Sequence, residues 1–214
     1  GGGMALEVPR FHELSVEKYK PKLRTVAWIA SASSAAAMSP YVLEEIYFLP
    51  EGNLGACTMW SGALVSTNGF GLENALVMME HASAMGKRDP KIMRAMQIQD
   101  PLSCNIDDVT GEVTWFQDTS GQYLVNEPPK ILTLNAQDAM KYKFGAGIAA
   151  TREELVKVMG LKEVEWVAQD ATDYIDKNMR DNDKSEKTFQ NVYEKFAVAA
   201  NLASQLQDCK RRGE

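Results

Sequence analysis

The stretch Ser31-Ala32-Ser33-Ser34-Ala35-Ala36-Ala37-Met38 lies between two apolar runs, residues 26–30 and 45–50. This order predicts a buried strand, a tight turn of small residues, the start of a helix, and a second strand. Small side chains let a backbone pass close to a substrate. A serine at a helix start also lies near the positive end of the helix dipole, where a developing anion is stabilised. Because serine is a preferred N-cap residue too, the stretch by itself fits either a helix cap or a nucleophile.

The composition is that of an ordinary globular protein, with 45% hydrophobic and 24% charged residues in a chain of 214. A net charge of -6 argues against nucleic acid as a partner, because no basic field would recruit phosphates. No apolar run is long enough to cross a bilayer, and no signal peptide is visible. The chain opens on three glycines without an initiator methionine. We therefore expect an N-terminal truncation, and the localisation is left unknown.

The sequence gives little support for metal or disulfide chemistry. Its three cysteines, Cys57, Cys104 and Cys209, are widely spaced and form no CxxC pair, and only His12 and His81 could supply imidazole ligands. Neither a disulfide framework nor a zinc site is indicated by such spacing. We expect no metal and no cofactor.

Strand and helix patterns alternate through most of the chain and predict an α/β domain over residues 1–168. Within it, the runs 112–116 and 122–126 flank a Gly-containing loop and predict a β-hairpin. A capping box at 151–154 predicts the start of a helix, and residues 163–168 are expected to form the last strand. Residues 169–214 are predicted to form a helical C-terminal extension for packing or subunit contact.

Several segments in this order resemble the Clp/crotonase superfamily, in particular the signal-peptide peptidase A and NfeD-type serine peptidases. The resemblance rests on the opening glycines, the small-residue turn at Ser33–Ala36, and the segment Glu45–Ala56, which follows the D-E-I-Y-M-x-P-G-x-x-I-G-A pattern of a strand and turn. Residues 132–139 with Gly145 resemble the L-T-x-x-E-A-x-x-x-G segment of these families. The predicted hairpin resembles the NfeD-type insertion. The resemblance implies a crotonase-like (Clp protease-like) ββα-type α/β domain with a small β-hairpin insertion.

The resemblance also implies roles for individual residues. Ser34 falls on the nucleophile position, and Gly2 and Gly3 fall on the oxyanion loop, whose N–H groups would hold a tetrahedral anion. Gly55 and Ala56 would line a groove where a peptide pairs with an extended strand. The implied activity is hydrolysis of peptide bonds through an acyl-enzyme, in a homo-oligomer acting on a peptide or protein substrate. Any membrane association would require regions outside this chain.

The general base is the part of the resemblance that fails. A serine hydroxyl needs a neighbouring base, which Clp-type members supply as histidine and the other members supply as lysine before the long helix. Residues 60–74 contain neither. His81 and Lys87 are nearest, but a lone histidine in a helix and a lysine past a helix end are more typical of structural roles. A base from a neighbouring subunit or from a missing N-terminal region is left open.

Two other functions are therefore weighed beside the peptidase. A catalytically inactive homologue could keep the groove as a peptide-binding or assembly module. Acyl-coenzyme A chemistry on the same fold is less favoured, because the serine turn and the strand that follows it are of the peptidase type. Fold alone does not choose among them.

Overall fold

The structure is a computed structural model that describes residues 7–61, 65–66, 68–167 and 169–212. It divides into two compact units, Gly1–Lys162 and Glu163–Glu214. The elements of the first unit run along the chain as α1 (Val8–Glu13, continued by a π-helix over Leu14–Tyr19), β1 (Val26–Ile29), β2 (Ala32–Ser33), α2 (Ala35–Met38, continued by a 3-10 helix over Ser39–Val42), β3 (Glu45–Phe48), β4 (Asn53–Gly55), β5 (Trp60–Ser61), β6 (Val65–Ser66), α3 (Gly69–Met85), α4 (Pro90–Gln97), β7 (Leu102–Ile106), β8 (Val113–Phe116), β9 (Tyr123–Asn126), β10 (Thr133–Asn135), α5 (Ala136–Lys141), β11 (Gly147–Ile148) and α6 (Arg152–Val158). The second unit contains α7 (Gln169–Arg212).

A parallel sheet of order β1-β3-β11 forms the centre of the first unit. Its middle strand is fully apolar after Glu45, and Ile46, Tyr47 and Phe48 are all buried. An uninterrupted apolar run is what a parallel strand needs when both of its faces are covered. The α/β class predicted from the alternating pattern is confirmed.

A second small sheet, of order β10-β4-β2, places the serine turn beside the turn that follows β4. Strand β2 runs parallel to β4 with Ser33 opposite Gly55, and β10 runs antiparallel with Thr133 opposite the same glycine. Strands β2 and β10, which lie far apart in sequence, therefore flank Gly55 on its two sides.

The predicted hairpin is wrong in its pairing. Both predicted strands exist, as β8 and β9, but they lie on opposite sides of β7, and each pairs antiparallel with it. The loop between them passes over β7, where Gly121 N–H donates to Ser103 Oγ and Gln122 N–H donates to Asn105 Oδ1. The insertion is therefore a three-stranded antiparallel sheet. Alternation along Leu-Ser-Cys-Asn-Ile, residues 102–106, is the period-2 signal that indicates the missing strand.

The strand expected over 163–168 is not formed in residues 163–167, and residue 168 lies outside the described residues. The sequence alternates there as a strand would, but no described strand pairs with it and its side chains are exposed. A period-2 pattern predicts a strand only where another strand is available for pairing.

Gly55→Ala is expected to destabilise the protein by about 3 kcal/mol, from left-handed backbone strain and overpacking together. The glycine has φ +151°, and a Cβ there would lie 2.4 Å from Leu132 O and 2.6 Å from Thr133 Cα, both backbone atoms of the β10 side. Urea unfolding measures the loss. Gly160→Ala is the control, because Gly160 has φ +71° with no atom within 4 Å of a Cβ. A loss no larger than that of the control would show that the close approach of β10 does not require glycine.

Across the residues that the structure describes, no helix is both long and apolar enough to span a membrane. In the same residues, no three His, Cys, Asp or Glu side chains are grouped so that they could hold a metal ion.

Candidate functional site

Ser34 occupies the sharp turn between β2 and α2 in a strained backbone conformation, with φ 57° and ψ -132°. Non-glycine residues rarely adopt a positive φ. The conformation is held from the neighbouring sheet, because the Ser34 N–H donates to both Gly55 O at 3.1 Å and Ala56 O at 3.0 Å. A serine on a strained strand-to-helix turn is the arrangement that presents a nucleophilic hydroxyl.

The Ser34 hydroxyl does not cap α2. Its side chain makes no capping hydrogen bond, and no described residue bonds its Oγ in another way. The side chain is half-buried. The Ser34 carbonyl instead accepts the N–H groups of Ala37 at 2.9 Å and Met38 at 3.2 Å. Of the two explanations that the sequence allows, the helix cap is therefore not observed.

Two backbone donors lie next to this hydroxyl. Within the described part of the chain, the N–H groups of Ala35 and Ala36 have no acceptor. An N–H on the residue after a nucleophile is a common oxyanion donor. Ala35 is not predicted from the sequence, because the family resemblance places the oxyanion role on Gly2 and Gly3 alone. The rule that the residue after the nucleophile donates could have found it.

Gly55 and Ala56 lie beside Ser34, as their carbonyl contacts with its N–H require. Gly55 is buried, whereas Ala56 is exposed with φ 49°. The expected mode of peptide pairing at Gly55 is not available, because β4 is the middle strand of its sheet and both of its edges are paired. Ala56 N–H is also used, since it donates to Leu132 O at 2.9 Å.

Cys57 does not compete with Ser34 as a nucleophile. It follows Ala56 directly but is fully buried, and burial raises the pKa of its thiol to about 12. The thiolate is the reactive form of cysteine, so this side chain stays unreactive at neutral pH.

The lysine and histidine nearest to segment 60–74, where the family places its base, have other partners or positions. Lys87 Nζ pairs with Glu44 Oε2 at 2.8 Å. Glu44 precedes β3, at the amino end of the parallel sheet, whereas Ser34 follows β1 and β2 at its carboxyl end. His81 is exposed on α3. No lysine or histidine in the described residues donates to or accepts from the Ser34 hydroxyl.

His12 is buried but serves the packing of α1. Its Nε2–H donates to Met38 O at 3.0 Å, at the far end of α2 from Ser34. Burial lowers the pKa of this imidazole, which keeps it neutral at physiological pH. With His81 it lines a mainly apolar cavity of about 320 Å³ between α1 and α3.

Other parts of the expected site lie outside the described residues. These are Gly2 and Gly3 of the predicted oxyanion loop, and residues 62–64 and 67 of the segment before α3.

Comparison with known proteins finds similarity in solved structures and none in sequence. No protein-family model matches the sequence, and no curated protein matches it. Two solved structures match, both of the 1510-N membrane-bound stomatin-specific protease. One is a serine-to-alanine mutant, with a TM-score of 0.53 and 16% identity over 73% of this chain and 64% of the other. The chain is structurally similar to an NfeD- and ClpP-class serine protease.

The second matching structure is a lysine-to-alanine mutant of the same protease in complex with a substrate peptide. Its TM-score is 0.52, with 16% identity over 73% of this chain and 60% of that one. The chain thus spans less than two thirds of the length of either protease structure. At this identity the likeness concerns the fold. It confirms the resemblance to the ClpP-class peptidases inferred from the sequence.

Proposed function

We propose that this protein is a serine peptidase-like hydrolase in which Ser34 forms an acyl-enzyme with a peptide substrate. The observation that carries the proposal is the strained backbone conformation of Ser34, with its positive φ. A positive φ on serine costs about 1–3 kcal/mol, and such strain is concentrated at functional sites. Here the strain leaves a hydroxyl without an intramolecular partner in the described part of the chain.

The chemistry follows from the groups around this hydroxyl. Ser34 Oγ attacks the peptide carbonyl and passes its proton to a base, and the carbonyl oxygen becomes an anion. The Ala35 N–H, with Gly2 and Gly3 as the expected further donors, stabilises that anion. The amine leaves with a proton from the base, and water then hydrolyses the ester on Ser34. Ala56, the exposed residue beside the turn, is proposed to contact the substrate.

The base is proposed to come from a neighbouring subunit or from a segment outside this sequence. In the family, lysine and histidine fill this role, and neither occurs among the chain residues left undescribed. An incomplete site in a single chain agrees with the expectation of a homo-oligomer.

The lack of a lysine or histidine bonded to the Ser34 hydroxyl, within the described residues, also favours a second candidate function. A homologue that has lost its base would keep the turn as part of a peptide-binding or assembly module. The pairing of Lys87 with Glu44 and the packing of His12 against Met38 support this alternative, because they assign both residues structural roles.

Labelling by a fluorophosphonate probe distinguishes the two functions, because the probe reacts with activated serines. We expect the wild-type protein to be labelled and Ser34→Ala to lose more than nine tenths of the label. Ser33→Ala is the matched control. It removes the neighbouring hydroxyl on β2, which lies in ordinary strand conformation, and should label like the wild type.

Labelling that persists in Ser34→Ala would contradict the assignment of the nucleophile. A full-length wild-type protein without label would contradict hydrolysis and favour peptide binding. Circular dichroism of each variant verifies that it is folded.

A further inference from the structure

Asn68 and Gly69, at the start of α3, form the only Asn-Gly pair in the sequence. Both residues are exposed. Asn68 is the N-cap residue of α3, but its side chain makes no capping hydrogen bond, and no other described residue bonds it. An asparagine at an N-cap ordinarily accepts an N–H of the first helical turn. The Asn68 amide is therefore exposed to water and is not held in place by the described part of the chain.

The backbone nitrogen of Gly69 is not engaged either. In the described part of the chain its N–H has no acceptor. Gly69 has φ +56°, and a Cβ built on it would have no atom within 4 Å. Because glycine has no side chain and this one lies in open space, the backbone can rotate here. The Gly69 nitrogen can thus approach the side-chain carbonyl of Asn68.

We infer that Asn68 is a site of spontaneous deamidation, in which the Gly69 backbone nitrogen attacks the Asn68 side-chain carbonyl. The inference concerns a covalent modification of the chain and does not depend on the proposed hydrolase activity. It rests on the two unengaged groups, on their place at the start of α3, and on the contrast with a second asparagine cap.

The reaction requires no reagent other than water. The Gly69 N–H loses its proton to hydroxide, and the nitrogen forms a bond to Asn68 Cγ. The bond from Cγ to Nδ2 breaks, the departing nitrogen takes up a proton, and ammonia leaves a five-membered succinimide. Water then adds to one of the two ring carbonyls. Hydrolysis at the side-chain carbonyl gives aspartate, and hydrolysis at the backbone carbonyl gives isoaspartate, in which the main chain runs through the former side chain.

The position at a helix N-terminus favours the attack. Negative charge develops on the Gly69 nitrogen and then on Asn68 Oδ1 as the bond to Cγ forms. Helix α3 has 17 residues, and the positive end of its dipole lies at this point. The N–H groups of a first helical turn also have no acceptor within the helix. Both features stabilise the developing anion.

Asn135, the N-cap residue of α5, shows the opposite arrangement. Its backbone is also extended, with φ -80° and ψ 171°. Its Oδ1 accepts from Asp138 N–H at 2.7 Å, and its Nδ2 donates to Asp138 Oδ2 at 2.9 Å. The nitrogen of the next residue, Ala136, donates to Gly52 O at 2.9 Å. Both groups that would react are held by hydrogen bonds, so Asn135 is expected to stay intact.

Peptide mapping by mass spectrometry tests the inference, after the full chain is incubated at physiological temperature. Each deamidation adds about 1 Da. We expect the peptide that contains Asn68 to gain this mass at least tenfold faster than the peptide that contains Asn135. The product should separate into aspartate and isoaspartate forms. Its rate of formation should rise with pH, because hydroxide removes the proton from the attacking nitrogen.

Ala136→Gly is the matched variant, because it gives the second cap the same Asn-Gly sequence. In the folded variant, Asn135 should still react about tenfold more slowly than Asn68, since its amide and the following nitrogen keep their partners. In concentrated urea the two asparagines should react at similar rates, because only the folded structure distinguishes them. Circular dichroism verifies that the variant is folded without urea.

Three results would overturn the inference. The first is a wild-type Asn68 peptide that keeps its mass. The second is deamidation of Asn68 no faster than that of Asn135 in folded Ala136→Gly, which would show that the open geometry has no effect. The third is aspartate without isoaspartate, because that product comes from direct hydrolysis of the side chain and not from attack by Gly69.

Discussion

Ser34→Gly is expected to make the protein more stable while abolishing its reaction with a fluorophosphonate. Glycine adopts φ 57° and ψ -132° without the steric cost that serine bears. Glycine also gains freedom in the unfolded chain, which offsets about 0.5–1 kcal/mol of the relief. The expected net gain in the free energy of unfolding is about 1 kcal/mol, measured by urea denaturation.

Two further variants isolate the strain from the loss of the hydroxyl. Ser34→Ala keeps the Cβ and therefore the strain, and it should unfold close to the wild type because the hydroxyl has no hydrogen bond in the described part of the chain. Ser33→Gly, one residue earlier in strand conformation, should lose about 0.5–1 kcal/mol. If Ser34→Gly were as destabilised as Ser33→Gly, the turn would not be strained, and the main support for a reactive serine would be removed.

Arg88→Ala is expected to cost about 3–5 kcal/mol of stability, the largest loss predicted for this protein. The Arg88 guanidinium donates to four backbone carbonyls, those of Tyr41, Leu43, Glu44 and Gly86. It also lies over the rings of Tyr41 and Phe144, 5.5 and 5.2 Å from their centroids. Removing it leaves these carbonyls without a donor at the junction between the end of α3 and the start of β3.

Arg94→Ala is the control for Arg88→Ala, and urea unfolding compares the two. Arg94 pairs with Asp100 at 2.6 Å, but its side chain is 46% exposed, so water replaces the lost partner. Its substitution should change stability by less than about 1 kcal/mol. Similar losses for the two arginines would contradict the structural role assigned to the Arg88 guanidinium.

Features encoded by local chemistry could be predicted from the sequence. The helix start predicted at residues 151–154 is confirmed, since Thr151 caps α6 and its Oγ1 accepts from Glu154 N–H. The return bond of the capping box is displaced by one residue, because Glu154 Oε2 accepts from Ala150 N–H. The apolar run before the serine turn forms β1, and the stripe over α3 forms a helix. Each of these depends on neighbours within a few residues.

Features set by distant partners could not be predicted in the same way. The order of β7, β8 and β9 depends on which strand inserts between the other two, and proximity in sequence favoured the wrong pair. The conformation of Ser34 depends on carbonyls of Gly55 and Ala56, which reach it through the pairing of β2 with β4. The sequence suggested the position of a nucleophile. Its strain, and an Ala35 N–H with no acceptor among the described residues, emerge only when the sheets assemble.

The central claim is that the strained Ser34 is a reactive nucleophile. Mass spectrometry after fluorophosphonate treatment tests it most directly. The intact mass gives the number of adducts, and peptide sequencing gives the modified residue. We predict one adduct per chain, located on Ser34. A full-length folded protein without an adduct, or with its adduct on any other residue, would contradict the claim.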